Sequence, residues 1–266
     1  MLRVVKAHAY GNDFLYVDAQ AVAGEDRGAL ARRLCERHTG IGADGLVLFT
    51  PTAAGARMTL VNADGSYAEV SGNGVRGLAA VVARDRDLAT SPGAAPDLVI
   101  DTDAGPKVLT LLERQGNRFR FRAAMGQPED VRRLDLEVAG ERVEAVALRV
   151  GNPQCVVLGA LDPARLARLG PALQRHPAFP EGVNVELAAV EAPDRVRILI
   201  WERGVGPTQS SGTGSCASAV AAAAFGGAAR AADVIAPGGA QRVEWLDAGL
   251  VLTGWVEVVL EGWWTA

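Results

Sequence analysis

Two short stretches concentrate the residue types that could do chemistry. Ser71-Gly72-Asn73-Gly74 runs into VRGLAAVV, and Ser211-Gly212-Thr213-Gly214 runs into SCASAVAA. Each reads as a serine, a glycine turn and a helix of small apolar residues. Serine is a favoured N-cap because its oxygen accepts a free N–H of the first turn. The glycines let a ligand come close to the main chain. Such a helix start presents unpaired N–H groups and the positive end of the helix dipole, which suits a carboxylate or a phosphate.

The two stretches belong to a duplication. Ser71 and Ser211 are offset by 140 residues (71 against 211), and Gly11-Asn12 and Gly151-Asn152 keep that offset, as do Gly42 with Gly182 and Asn62 with Glu202. Further on, Asp103-Ala104-Gly105 answers Asp247-Ala248-Gly249 at an offset of 144 (103 against 247), which predicts a four-residue length change after the second helix start. The period is too long for a solenoid. Two related halves facing each other could aim both helix starts at one ligand. One group would then take a proton from a carbon and the other would return a proton to the opposite face, inverting the stereocentre. Helix N-termini aimed at the adjoining carboxylate would stabilise the charge that develops there.

Apolar periodicity outlines the elements that must hold these turns. Strands are expected at 2–6 and 14–18 around Gly11, a helix over 26–37 carrying Cys35, strands at 46–49 and 58–62, and a helix from Ser71 to about Arg86. A Pro/Gly/Ala loop follows at 89–97, then strands at 98–102, 107–113 and 117–123, with the change of domain near 113–118. The second half repeats the order, with strands near 143–150 and 154–159, a helix at 162–174, strands at 183–188 and 196–202, a helix from Ser211, and hairpin strands at 242–247 and 250–254. A last strand at 255–261 lies beyond the second copy and could return to the first domain. The expected domains are 1–115, with 256–266 possible as a returning segment, and 116–255. Each half has one long helix that is apolar on nearly every face, so it must be buried. A strongly curved sheet wrapped about a central helix would bury it.

Composition narrows the function classes. The chain has 266 residues, 49% of them apolar, and a formal net charge of −4, so it can fill two medium domains and carries no nucleic-acid footprint. The run Arg84-Asp85-Arg86-Asp87 reads as a solvated helix end. No apolar stretch has the length of a membrane span and the N-terminus lacks a signal-peptide core, which points to the cytoplasm. Cys35, Cys155 and Cys216 are odd in number and follow no ligand spacing, and His8, His38 and His176 are dispersed, so reduced thiols and no metal site are expected. An isologous homodimer is the default for a soluble enzyme.

The motifs KAHAYGNDFLYVDA, RHTGIGADGLVLF, NADGSYAEVSGNGVRG, GNPQCVVL, EGVNVE, WERGVGPTQSSGTGSCASA and TGWVEVVLEG together resemble the diaminopimelate epimerase family, in its order and over nearly the whole chain. The resemblance implies an α/β (α+β) fold of two pseudo-symmetric domains, each a mostly antiparallel barrel-like sheet around a central helix. It implies interconversion of LL- and meso-2,6-diaminopimelate by two-base proton transfer in an interdomain cleft, on the route to lysine and peptidoglycan, with no cofactor, pyridoxal phosphate or metal. By position in the motifs, Asn12, Asn62, Asn152 and Asn184 match the family's substrate-binding amides. Gly72-Asn73 and Gly212-Thr213 match its α-carboxylate cradle. Glu202 and Arg203 match its acidic and basic pair, where Arg can clamp a carboxylate with two hydrogen bonds and Glu can take an ammonium. Read singly, an Asn beside Gly is most often a turn residue and Glu-Arg a surface pair; six in register argue for a site.

Departures fall on the chemistry itself. The family's two catalytic groups are cysteines, and this chain has Ser71 and Ser211 there. Cys216 lies five residues past Ser211, inside the helix, and cannot stand in for it. A thiol titrates near 8.5 and lower at a helix N-terminus, whereas a hydroxyl acts as a base only if another group takes its proton. Glu69, Asp64 and Glu202 are the nearest carboxylates in sequence. Gln154 replaces the family's usual His, and Gly77 stands where the family often has Cys. Three accounts stay open: an epimerase altered by natural drift or slowed, a related isomerase or dehydratase with a carboxylate base or a non-catalytic amino-acid-binding relative, and a Cys-to-Ser form made to hold substrate.

Overall fold

The computed structural model describes residues 1–88 and 96–265. The chain divides into two compact units, Met1–Ala123 with Gly254–Ala266, and Ala124–Thr253. In chain order the first carries β1 (Leu2–Ala9), β2 (Asn12–Asp18), a 3-10 turn (Ala19–Val22), α1 (Arg27–Cys35), β3 (Gly45–Pro51), β4 (Gly55–Asn62), β5 (Tyr67–Ala68), α2 (Gly72–Asp85), β6 (Asp97–Thr102), β7 (Gly105–Gln115) and β8 (Arg118–Gly126). Then come β9 (Glu129–Val138), β10 (Glu141–Val150), β11 (Asn152–Leu158), α3 (Pro163–Gln174), β12 (Asn184–Ala192), β13 (Arg195–Glu202), β14 (Gly206–Thr208), α4 (Gly212–Phe225), β15 (Ala231–Ala236), β16 (Gly239–Leu246) and β17 (Gly249–Trp264).

The first unit is a barrel. Antiparallel pairs join β1 to β2, β3 to β4, β6 to β7 and β7 to β8, while β2–β3 and β4–β6 are parallel. The last part of β17 lies against β1 on one side and β8 on the other, which closes the ring. Inside it runs α2, buried from Asn73 to Ala83. Leu78, Val81 and Val82 pack on Tyr16, Val47, Ile100, Phe119 and Phe121. The alternate strand residues point outward, where Leu15, Leu46 and Leu48 meet Leu30 and Leu34 of α1. Period-2 strands thus serve two helices, one on each face. Both helices are capped by the chemistry that starts them: the Asp26 carboxylate accepts the Gly28 and Ala29 N–H groups, and Ser71 Oγ accepts that of Gly74.

The second unit repeats the plan. β9–β10, β10–β11, β12–β13, β15–β16 and β16–β17 are antiparallel, and β11–β12 and β13–β15 are parallel. Here α4 is the central helix, against Val156, Ile198, Ile200, Val234 and Leu252. Outside, α3 covers Cys155, Val185 and Leu187. The expected barrel-like sheet around a central helix is therefore present.

Four expectations need correction or qualification. Strand pairing equates Gly55↔Val99 with Arg195↔Asp233, so the offset after the helix is 134 (99 against 233). The second copy is thus six residues shorter there, not four longer. Asp247-Ala248-Gly249 is the β16–β17 turn, whose counterpart is the β7–β8 turn rather than Asp103-Ala104-Gly105. β5, β9, β14 and β15 were not anticipated. No break separates 254 from 255, because β17 is one strand. The expected loop at 89–97 falls, but for its last two residues, outside the described residues.

Candidate active-site helix starts

Each helix start is built the same way in its own unit. Ser71 and Ser211 both have extended backbones (φ −129° and −141°), and each Oγ accepts the N–H three residues on, at 3.2 Å from Gly74 and 3.1 Å from Gly214. That bond leaves each serine hydroxyl its proton to donate. The N–H groups of the first turn before it are those a bound anion would take. A carbon added at Gly72 would meet nothing within 4 Å, so the main chain is open there. Gly212 is tighter, with Leu252 Cδ2 at 3.2 Å.

In the first unit the amides form a chain. Asn73, buried, donates to Asn12 Oδ1 at 3.1 Å and accepts from Arg76 at 3.3 Å; Asn12 donates to Asp44 at 2.7 Å. Arg37 ties Asp44 to Asp13 at 2.8 Å each, and Lys6 meets Asp13 at 2.9 Å. Burial works against the charge on Asp13, but the hydrogen bonds from Arg37 and Lys6 outweigh it and hold the carboxyl below its usual range. Asn12 enters from a tight hairpin in which Tyr10 (φ 56°) and Gly11 (φ 88°) are both left-handed, the geometry of a two-residue type I′ turn. Asn62 does not join this chain; it donates to Ser66 Oγ at 3.0 Å across its own turn.

Under α2 lies a residue that sequence reasoning passed over. Tyr16 is buried and its hydroxyl donates to the Gly74 carbonyl at 3.1 Å. A side-chain carbon at Gly77 would collide with that hydroxyl and stand 2.6 Å from Cζ. Tyr16 thus gives the physical reason for glycine at position 77.

In the second unit Asn184 Oδ1 accepts the Arg203 N–H at 2.8 Å, and the Arg203 guanidinium donates to the Glu181 carbonyl at 2.5 Å. Gly182, with φ 73°, leaves room for the arginine stem, since a carbon there would be 2.9 Å from Arg203 Cδ. Gln154 donates to Asn152 Oδ1 at 2.6 Å, while its own Oε1 is buried without a partner. Glu202 is half-exposed at the end of β13. Thr213 Oγ1 lies 3.5 Å from Ser211 Oγ.

The nearest carboxylates in sequence are not the ones against a helix start. Asp64 is exposed and accepts from the Ser66 N–H, and Glu69 is exposed. Instead, Glu186 of β12 is fully buried and presses on Gly214. Burial, and then the charge of Glu202, push its carboxyl well above the usual range. Its sequence signal was present: a glutamate at an inward position of the apolar strand NVELAAV. The thiols stand at neither helix-start serine position. All three are buried; burial pushes Cys155 far up, with Glu186 adding to it, and raises Cys35 to about 12. Among the described residues no three His, Cys, Asp or Glu side chains are grouped to hold a metal ion, and no helix is long and apolar enough to cross a membrane.

The sequence model for diaminopimelate epimerase matches residues 4–131 and 146–259. The chain belongs to the diaminopimelate epimerase family. It is 42% identical over 285 aligned positions to the diaminopimelate epimerase of Desulforudis audaxviator, covering 99% of both chains. With that of Desulfitobacterium hafniense it shares 36% over 280 positions, covering 98% of this chain and 97% of the other. Fold similarity reaches further. A phenazine biosynthesis protein of the PhzF family from Bacillus anthracis superposes with a TM-score of 0.69 at 16% identity, over 98% of each chain.

Proposed function

We infer that the chain is a cofactor-independent amino-acid isomerase that inverts one stereocentre of 2,6-diaminopimelate, on the route to lysine and peptidoglycan. The observation that carries this reading is full-length identity of 42% to a diaminopimelate epimerase together with a serine-capped, glycine-opened helix start in each unit. Inversion needs one group to remove the α-proton and another to return a proton. Ser71 and Ser211 hold those positions. The first-turn N–H groups at Gly72-Asn73 and Gly212-Thr213 take the α-carboxylate, whose charge rises as the proton leaves. Arg203, steadied by Glu181 and Asn184, takes the distal carboxylate, and Glu202 takes the ammonium. The amides of Asn12, Asn62, Asn152 and Asn184 complete the polar lining.

Proton exchange at the α-carbon of diaminopimelate in D₂O tests this, in the parent and in Ser71→Cys/Ser211→Cys. Exchange with inversion by the parent is the expected result. Exchange only by the double cysteine form would mean that the parent binds without turnover. Failure of both forms to bind diaminopimelate would exclude that substrate.

A further inference from the structure

A serine can shuttle protons only through a second group, and the second unit contains one. Glu186 is fully buried and both carboxyl oxygens lack a hydrogen-bond partner. A carbon placed on Gly214 would stand 2.5 Å from Glu186 Oε1 and 3.2 Å from Ser211 Cβ. The carboxyl and the serine side chain therefore flank the same small space at the head of α4. Gln154 Oε1 of the neighbouring β11 and Thr208 Oγ1 of β14 are also buried without partners. The first unit is built otherwise. Where Val156 pairs with Glu186, Tyr16 pairs with Val47, and the nearest atoms to a carbon on Gly74 are those of Ser71 and the Phe14 ring. No carboxyl occupies that position.

We propose that Glu186 is the proton store of the second helix start, exchanging a proton with Ser211 Oγ across one bridging water, since neither carboxyl oxygen is hydrogen-bonded to that hydroxyl directly. This rests on the isomerase reading above. When Ser211 protonates the substrate carbanion, its O–H bond breaks and a C–H bond forms. The Glu186 carboxyl then gives a proton through the water to Ser211 Oγ and becomes a carboxylate. In the other direction, Ser211 Oγ takes the α-proton as its own proton moves through the water to the Glu186 carboxylate. The positive end of α4 lowers the cost of the buried carboxylate. Among titratable groups on the surrounding elements, β13 brings Glu202, with Arg203 next to it, β11 brings Cys155 and α4 brings Cys216. Of these, the Glu202 charge favours the proton-holding form. Glu186 acts through Ser211 and is a positioning residue.

Two measurements test the store. Infrared spectra of the parent at pH 8 should show the carbonyl stretch of a protonated carboxyl, absent from Glu186→Gln and shifted in Ser211→Ala. Loss of no such band in Glu186→Gln would overturn the proposal. The second measurement is inversion kinetics. Glu186→Gln, close in shape to the protonated acid, should lower kcat roughly 10²–10⁴-fold with little change in KM. In a Ser211→Cys background the same change should cost less than about tenfold, because a thiol titrates on its own. Equal losses in the two backgrounds, or a loss confined to KM, would assign Glu186 a purely structural role. If Ser71→Cys/Ser211→Cys inverts diaminopimelate and the parent does not, the store fails while the substrate reading stands. If neither form binds diaminopimelate, the substrate reading fails and the infrared result alone decides Glu186.

Discussion

Substituting Gly77 by alanine should expose how the first helix start is supported. The added carbon would overlap the Tyr16 hydroxyl and lie 2.6 Å from Cζ and 3.2 Å from Cε2 of a rigid, buried ring. The ring cannot swing aside cheaply, because its hydroxyl is bonded to the Gly74 carbonyl. Overpacking of this kind costs about 1–3 kcal/mol, and loss of the hydrogen bond about 0.5–1.5 kcal/mol more. Alanine's better helix propensity returns about 1 kcal/mol. The expected net loss is about 1–3 kcal/mol. In the second copy the matching positions, at the offset of 140 (16 against 156, 77 against 217), are Val156 and Ala217: a smaller strand residue faces a larger helix residue. A double-mutant cycle uses that exchange. Tyr16→Val alone should be costly, by about 3–5 kcal/mol as a large-to-small core change. In that background Gly77→Ala should be neutral or stabilising by up to about 1 kcal/mol. Denaturant unfolding of the four proteins reads the coupling directly. If Gly77→Ala costs the same in both backgrounds, the contact with Tyr16 does not explain the glycine.

Other outcomes follow from the same geometry. Ser71→Ala and Ser211→Ala should each lower stability by about 0.5–2 kcal/mol through loss of the N-cap, measured by denaturant unfolding; no change in either would mean that the cap bond is not made. Asp13 binds protons less readily folded than unfolded, so its stabilising contribution is complete well above about pH 4 and drains as pH falls through its lowered folded value. Asp13→Asn should therefore cost about 1.5–3 kcal/mol at pH 7 and flatten the acid limb of the stability curve; an unchanged limb would refute the assignment. Cys35, Cys155 and Cys216 are buried, so a thiol reagent should label none of them in the folded protein and all three after denaturation.

Much of the architecture was legible because the two helix starts kept their cap, glycines and small apolar faces at one spacing. What misled was local turn chemistry. Gly105 (φ 83°) and Gly249 (φ 126°) both close hairpins, and Asp-Ala-Gly suits any such turn, so a likeness of turns passed for a correspondence of copies. β9 escaped notice because most of its residues are solvent-facing and charged, as in EDVRRLDLEV, with apolar residues thinly spread. At the site, the serines and amides announced themselves by motif. Glu186 did not, because its role depends on Gly214, which is distant in sequence and meets it only once β12 and α4 have packed. Tyr16 and Gly77 were likewise readable only as a pair.

The ring of the first unit closes through β17, whose residues from Leu2's partner Trp264 back to Glu257 lie along β1. A ribosome delivers β1 well before this partner, which follows 249 (8 against 257) to 262 (2 against 264) residues later. Until then the flank of β1 on that side has no strand to bond, and the half made earliest must be completed latest. Loop closure of this span slows folding more than it weakens the finished protein. Cutting β17 short should therefore injure the opposite end of the sequence first, leaving β15 and β16 paired while the sheet around α2 comes apart.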